Sequence, residues 1–219
     1  MNLLFFDKHI IVCEKPSGTV CEGEGANALP TLLSCYLAEK GEKNTAIFPV
    51  HRLDKETVGV CVFARTSSAA ASLSASITGG SFKKEYLAIV CGVPEKSSDT
   101  LTDMLYYDRN RGKSFVVDRE RGGVKKASLD YELLGSDEGF SLLRIRLHTG
   151  RTHQIRVQFA SRGLPLAGDR RYGAPKNGIS ALALCANTLS FPHPTSGELM
   201  QFSVSPPHTQ PWNLFDLNK

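Results

Sequence analysis

The chain has 219 residues, 41% of them hydrophobic and 22% charged, with 26 basic against 22 acidic side chains. No run approaches the ~18 consecutive apolar residues of a membrane-spanning helix, and the composition is too apolar and too mixed in charge for a disordered chain. The opening MNLLFFDKHIIVCEKP has no basic start and is broken by Asp7, Lys8 and His9, unlike a secretory leader.

In chain order, IIVCEK (10–15) reads as a strand that stops at the Pro16-Ser17-Gly18 turn. PTLLSCYLAEK (30–40) reads as a helix with Pro at its start and Gly41 beyond its end. VGVCVFA (58–64) is a buried-type strand, and SSAAASLSASIT is a small-residue helix closed by Gly79-Gly80. KKEYLAIVCG (83–92) predicts another strand. From 99 to 147 several strands follow, among them FVVD, ASLDYELL and SLLRIRLH. In the last, Leu143, Ile145 and Leu147 alternate with Arg144 and Arg146, which predicts one buried and one basic face. THQIRVQFASRG (152–163) predicts a helix capped by Thr152 and ended by Gly163, with Ile155, Phe159 and Ala160 on its apolar side. LALCANTLSF and LMQFSV are late strands. Strands outnumber helices without regular alternation, so we expect an α+β protein with a mixed, largely antiparallel sheet flanked by helices. One domain over 1–219 is expected, because no linker or repeat interrupts the pattern.

The charge is uneven. Residues 109–126 carry 7 basic and 2 acidic side chains, and residues 144–171 carry 7 arginines with Asp169 as the one acid. The remainder is net −7. Such clustering suits a polyanion, although a solvated charged face gives the same pattern. The six cysteines show no CxxC spacing and sit in a chain without a leader pattern, so they read as reduced structural residues of a cytoplasmic protein. Cys13, Cys35, Cys61 and Cys91 lie in apolar stretches and are expected to pack as small hydrophobes. No HExxH, GxxxxGK[ST] or complete GxGxxG occurs, so neither a metal nor a nucleotide cofactor is expected.

Two charged segments stand in apolar or glycine-rich surroundings: HRLDKETVG (51–59), just before a buried strand, and TGRTHQIRVQFA (149–160). Asp54 can pair with Arg52 or cap a turn. It can equally be a partly buried carboxylate kept ionised by a cation, ready to act as nucleophile or base. Arg151 and Arg156 are candidates for that cation, or for phosphate contacts. Tyr86, in KEYLAIV, reads as a core residue on pattern alone.

Together and in this order, IIVCEKPSG, HRLDKETVG, KKEYLAIVCG, KKASLDYELL, LHTGRTHQIRVQFASRGLPLAGDRRYG and LSFPHPTSGELMQF resemble the RluA-type pseudouridine synthases. The resemblance runs from about residue 8 to about 207 and covers the catalytic domain, without the small N-terminal RNA-binding module many relatives carry. It implies an isomerase that detaches uracil from ribose in ribosomal or transfer RNA, turns the base and rejoins it through carbon 5, with no cofactor and no metal. It also implies a central basic cleft. By the match, Asp54 is the catalytic carboxylate, acting on the ribose or on the ring. Tyr86 stacks on the base, and Arg156 pairs with the carboxylate. Arg52 resembles the arginine that fills the space left by the flipped base. Lys15, Lys125, Lys126, Arg151 and His153 are the further residues expected to meet RNA. Val58 stands where the family usually has Ser. A monomer is expected. A catalytically inactive RNA-binding relative and a carboxylate-dependent N-glycosidic hydrolase are the alternatives.

Overall fold

The computed structural model describes residues 2–119, 122–176 and 178–217. Glu120 and Arg121, part of the first basic window, lie outside the described residues. The elements in chain order are β1 (Asn2–Phe6), β2 (Ile10–Lys15), α1 (Leu29–Glu39), β3 (Phe48–Pro49), β4 (Val58–Ala64), α2 (Ser67–Thr78) and β5 (Lys83–Cys91). There follow β6 (Ser98–Asp108), β7 (Lys113–Val116), β8 (Val124–Asp137), β9 (Phe140–Leu147), α3 (Gln154–Ala160), β10 (Leu184–Pro192) and β11 (Leu199–Ser203). The class is α+β, as the pattern predicts. Two compact units form: Met1–Lys84 with Ala186–Ser205, and Glu85–Cys185 with Pro206–Lys219.

In the first unit the strand order is β1-β2-β4-β10, with β3 beside β4 and β11 beside β10. β1 and β2 form a hairpin in which the Asp7 carboxylate accepts the backbone N–H groups of His9 and Ile10, both at 2.8 Å. Sequence pattern alone does not predict this first strand, because NLLFF has no polar residue after Asn2 to give it a period of two. β2 runs antiparallel to β4, with Cys13 opposite Cys61 and Lys15 opposite Gly59. Helix α2 begins where the Thr66 hydroxyl accepts the Ala69 N–H at 3.1 Å. Ala69 and Leu73, one turn apart, face the core with Ile10, Val12, Val60, Val62, Leu189 and Phe191. Each large side chain fully buried there contributes about 1.5–3 kcal/mol.

At Gly59 the backbone has φ +125°, and any Cβ would collide with the Ala186 backbone. Glycine is therefore required where β4 and β10 come together.

The second unit orders its strands β5-β9-β8-β6-β7, with every neighbouring pair for which a register is defined antiparallel. Helix α3 packs against β6 and β7. It is buried from Gln154 to Phe159, polar residues included, so the one-sided helix expected from periodicity is corrected. The Gln158 amide donates to the Asp103 carboxylate (2.7 Å), and the Gln154 amide to the Ser128 carbonyl (3.0 Å). These bonds permit the burial.

Candidate active site

The HRLD segment is fixed by its own His51 and Leu53 side chains and by Cys21 and Lys15 of the same unit. His51 accepts the Val62 N–H through Nε2 at 3.1 Å, which leaves the ring proton on Nδ1. Burial, with the positive charge of Lys84 nearby, pushes its pKa down to about 3. Leu53 is buried, and its N–H donates to Cys21 Sγ at 3.3 Å. Asp54 then starts a turn in which its carbonyl accepts the Thr57 N–H at 3.1 Å.

Lys15 fixes the far side of that turn. Its ammonium donates to the carbonyls of Thr57 (2.7 Å), Lys55 (2.8 Å) and Pro16 (3.0 Å). The Gly18 N–H also reaches the Lys55 carbonyl at 2.9 Å. Lys15 is fully buried, with burial lowering its pKa and the charges of Cys21, Cys61, Asp54 and Glu56 opposing that. This corrects the expectation that Lys15 meets RNA. An ammonium with three carbonyl acceptors and no exposed surface cannot also take a phosphate. The sequence signal was the position of Lys15 itself, at the end of a strand whose first four residues are apolar.

Arg52 points outward and pairs with Glu22 at 3.0 Å, both side chains more than half exposed. Such a pair is worth about 0–1 kcal/mol, so Arg52 is released at little cost.

In the second unit, Tyr86 lies on β5 opposite Ile145 of β9 and is buried. Arg156, on α3, meets the Asp169 carboxylate side by side: Nε to Oδ2 at 2.6 Å and Nη2 to Oδ1 at 2.9 Å. Both side chains are almost completely buried. Asp169 is presented by the PLAGDRRYG segment, where Gly168 has φ +76° and sits against the Ala181 carbonyl with no room for a Cβ. The Arg156 guanidinium also lies over the Tyr172 ring, 5.2 Å from its centre. The Tyr172 hydroxyl accepts the Ser114 N–H at 2.8 Å and lies 2.9 Å from His153 Nδ1. Asp169 and Tyr172 are the site-supporting residues that sequence reasoning missed. Asp169 had a signal, as the one acid among seven arginines.

His153, half-buried, replaces Thr152 as the residue that starts α3 and adopts φ +55° without a side-chain cap. Gln154 Oε1 instead fixes the loop that leads into the helix. It accepts the Arg151 N–H at 3.0 Å and the Thr149 hydroxyl at 2.7 Å.

The predicted basic face of β9 is neutralised. Arg144 meets Glu132 at 2.9 Å and Glu85 at 3.6 Å, and Arg146 meets Glu85 at 3.0 Å. Arg162 meets Asp103 at 2.9 Å. Lys125, Lys126 and Arg151 are different. All three are exposed, Arg151 Nε donates to the Lys126 carbonyl at 3.0 Å, and none has a carboxylate partner among the described residues.

Residues 9–161 match the family model described as RNA pseudouridylate synthase. The chain belongs to that family, whose members are isomerases acting on RNA. Over 94% of its length it is 35% identical to ribosomal large subunit pseudouridine synthase D of Zymomonas mobilis, covering 69% of that protein. It is also 35% identical, over 94% of its length, to the protein of the same name from Xanthomonas campestris, covering 66% of it. Human RNA pseudouridylate synthase domain containing 4 superposes with a TM-score of 0.79 at 26% identity, over 94% of this chain and 88% of that one.

Proposed function

We propose that this protein converts uridine to pseudouridine in ribosomal RNA, with Asp54 as the catalytic carboxylate and Tyr86 and Arg156 as its partners in the reaction. The observation that carries the assignment is the support beneath Asp54: Lys15, Cys21 and the His51 ring together fix the segment that presents it. A side chain that only capped a turn would need no such scaffold. Both bacterial relatives described above carry the large ribosomal subunit in their names, which favours ribosomal over transfer RNA.

The reaction breaks the bond between ribose and uracil nitrogen, rotates the base and rejoins it through carbon 5. Asp54 serves either as nucleophile or as base in that sequence. The exchange is redox-neutral and consumes no water, so no cofactor or metal is required of the chain, and excess EDTA should leave the rate unchanged. A uridine inside folded RNA must first leave its stack at a cost of about a few kcal/mol. Lys125, Lys126, Arg151 and His153 are proposed to offset that cost by contacts to the RNA, and Arg52 to occupy the vacated space. The enzyme is proposed to act as a monomer.

The test is Asp54→Asn, which keeps the side-chain shape and removes its charge. Turnover on ribosomal RNA should fall below detection, while thermal melting stays near wild type and RNA affinity stays within about tenfold (~1.4 kcal/mol). A folded variant that still makes pseudouridine overturns the assignment. Release of free uracil by the wild-type enzyme would instead establish a hydrolase.

A further inference from the structure

Directly beneath the HRLD segment, two thiols face each other. Cys21 Sγ and Cys61 Sγ are 3.7 Å apart, with Cys21 2% exposed and Cys61 fully buried. Cys61 lies on β4, whereas Cys21 lies at the start of a loop whose next residues, 22–27, are all exposed. Gly23 and Gly25 in that loop both have positive φ. Cys21 is therefore the last buried residue before a short, glycine-containing surface loop.

Cys21 Sγ also accepts the Leu53 N–H, one residue before Asp54. The same sulfur thus belongs to a close dithiol and to the support of the HRLD segment.

We propose that Cys21 and Cys61 are an oxidisable pair whose disulfide disconnects Leu53 and switches off the adjoining Asp54 segment. The second half of this proposal rests on Asp54 being catalytic; the first half does not. The two thiols differ in the way such a pair requires. Cys21 is held below the ordinary thiol value, chiefly by the hydrogen bond with Cys61, with further help from the Leu53 N–H and the charges of Lys15 and Arg52. Burial and the same contact push Cys61 up. Cys21 is therefore the attacking sulfur and Cys61 the resolving one. Cys13, opposite Cys61 across the β2–β4 pair, is pushed up to about 12 by burial and is a poor competitor.

The oxidant is hydrogen peroxide. The Cys21 thiolate attacks one peroxide oxygen, the O–O bond breaks, and hydroxide leaves to be protonated. Cys21 is now a sulfenic acid. The Cys61 sulfur then attacks the Cys21 sulfur, the S–O bond breaks, and the departing hydroxide takes the Cys61 proton as water. Two thiols have given up two electrons and two protons, and one peroxide has become two waters. Closing the bond brings the sulfurs from 3.7 Å to about 2.05 Å. It draws Cys21 toward β4 and turns a charge-bearing acceptor into a neutral disulfide sulfur, so the Leu53 N–H loses its partner.

The experiment treats the full chain with a small molar excess of hydrogen peroxide. It reads the cross-linked peptide by mass spectrometry and turnover on ribosomal RNA in parallel. The expected result is a Cys21–Cys61 link, a turnover loss of at least tenfold that dithiothreitol restores, and a Cys61→Ala enzyme that forms no such link under the same treatment. If Cys61→Ala folds poorly, Cys61→Val serves instead. The proposal is overturned if exposed Cys35 oxidises while Cys21 and Cys61 stay reduced, or if the link joins Cys13. A Cys21–Cys61 link that leaves turnover intact overturns the switch. The Asp54→Asn enzyme, assayed alongside, then shows whether the catalytic assignment has failed as well: inactivity keeps it, activity removes it.

Discussion

The Lys15 ammonium and the Thr57 carbonyl, 42 residues apart in sequence, meet at 2.7 Å in a site with no exposed lysine surface. With the Lys55 and Pro16 carbonyls, that bond joins the end of β2 to the turn that Asp54 opens. A buried charge is tolerated here because every donor has a partner.

Replacing Lys15 by Met keeps the bulk of the stem and strips three carbonyls of their donor. The expected loss is about 2–4 kcal/mol, which for a chain of this size lowers Tm by roughly 5–15 °C. Turnover of the folded fraction should fall further than RNA affinity, because the turn presenting Asp54 loosens while phosphate contacts elsewhere persist. Equal losses in kcat and binding would show that Lys15 supports only the fold.

His51 gives the stability a defined pH dependence. In the unfolded chain it takes up a proton near pH 6.5, but in the folded protein burial and Lys84 delay protonation to about pH 3. Between those values the unfolded state binds more protons, so stability falls as pH falls. A few kcal/mol should be lost between about pH 6.5 and pH 3 on this account. His51→Gln keeps an acceptor for the Val62 N–H but cannot titrate. It should be less stable than wild type at pH 7 and show a flatter stability profile below pH 6.5, measured by urea unfolding. Parallel profiles would remove His51 as the cause.

The buried Arg156–Asp169 pair is expected to be intolerant of half-removal. Asp169→Ala removes the two-point carboxylate contact from a buried guanidinium and should cost about 3–5 kcal/mol. Arg156→Lys retains the charge but cannot match two carboxylate oxygens at once. Thermal melting of both variants checks this, with the lysine variant expected between wild type and Asp169→Ala.

Neutralising different basic residues should separate RNA contacts from internal pairs. Removing Lys125 and Lys126 together should flatten the log–log dependence of RNA affinity on salt by up to about 1.4, at roughly 0.7 for each phosphate no longer neutralised. Arg144→Ala should leave the slope unchanged, because Glu85 and Glu132 already occupy that guanidinium. Filter binding across a salt series reads both. A slope change for Arg144→Ala would mean that those carboxylates release it on binding.

The contrast between Lys125 and Arg144 also shows how far sequence can be read. Periodicity located β2, β4, β5 and α2 because each has its apolar residues in one continuous pattern. The same pattern marked Arg144 and Arg146 as outward-facing on β9, which they are, but not the acids opposite them on β5 and β8. Cross-strand neighbours are a property of register, and register is set by distant turns. Lys15 and Asp169 were only partly legible for a related reason. Burial of a charge depends on partners brought from other segments, so each position stood out without showing what the side chain would meet. Cys35, expected inside, is exposed, while Cys21 and Cys185 are buried. Asp54 and Arg156 were visible only because whole motifs, not single residues, carried them.

The close approach of Gly59 to Ala186 has a consequence for how the chain is made. Leu189 and Phe191 belong to the same core as Ile10 and Val60, yet they are translated more than a hundred residues later. While the ribosome is still synthesising residues 85–185, the nascent first unit lacks β10 and β11, and the part of β4 before its pairing with β3 stands as an open edge beside unfilled apolar surface. Completion of that unit therefore waits until residues 186–205 have been made, even where the second has begun to form. Nascent chains arrested before residue 186 should be the species most prone to chaperone capture and aggregation.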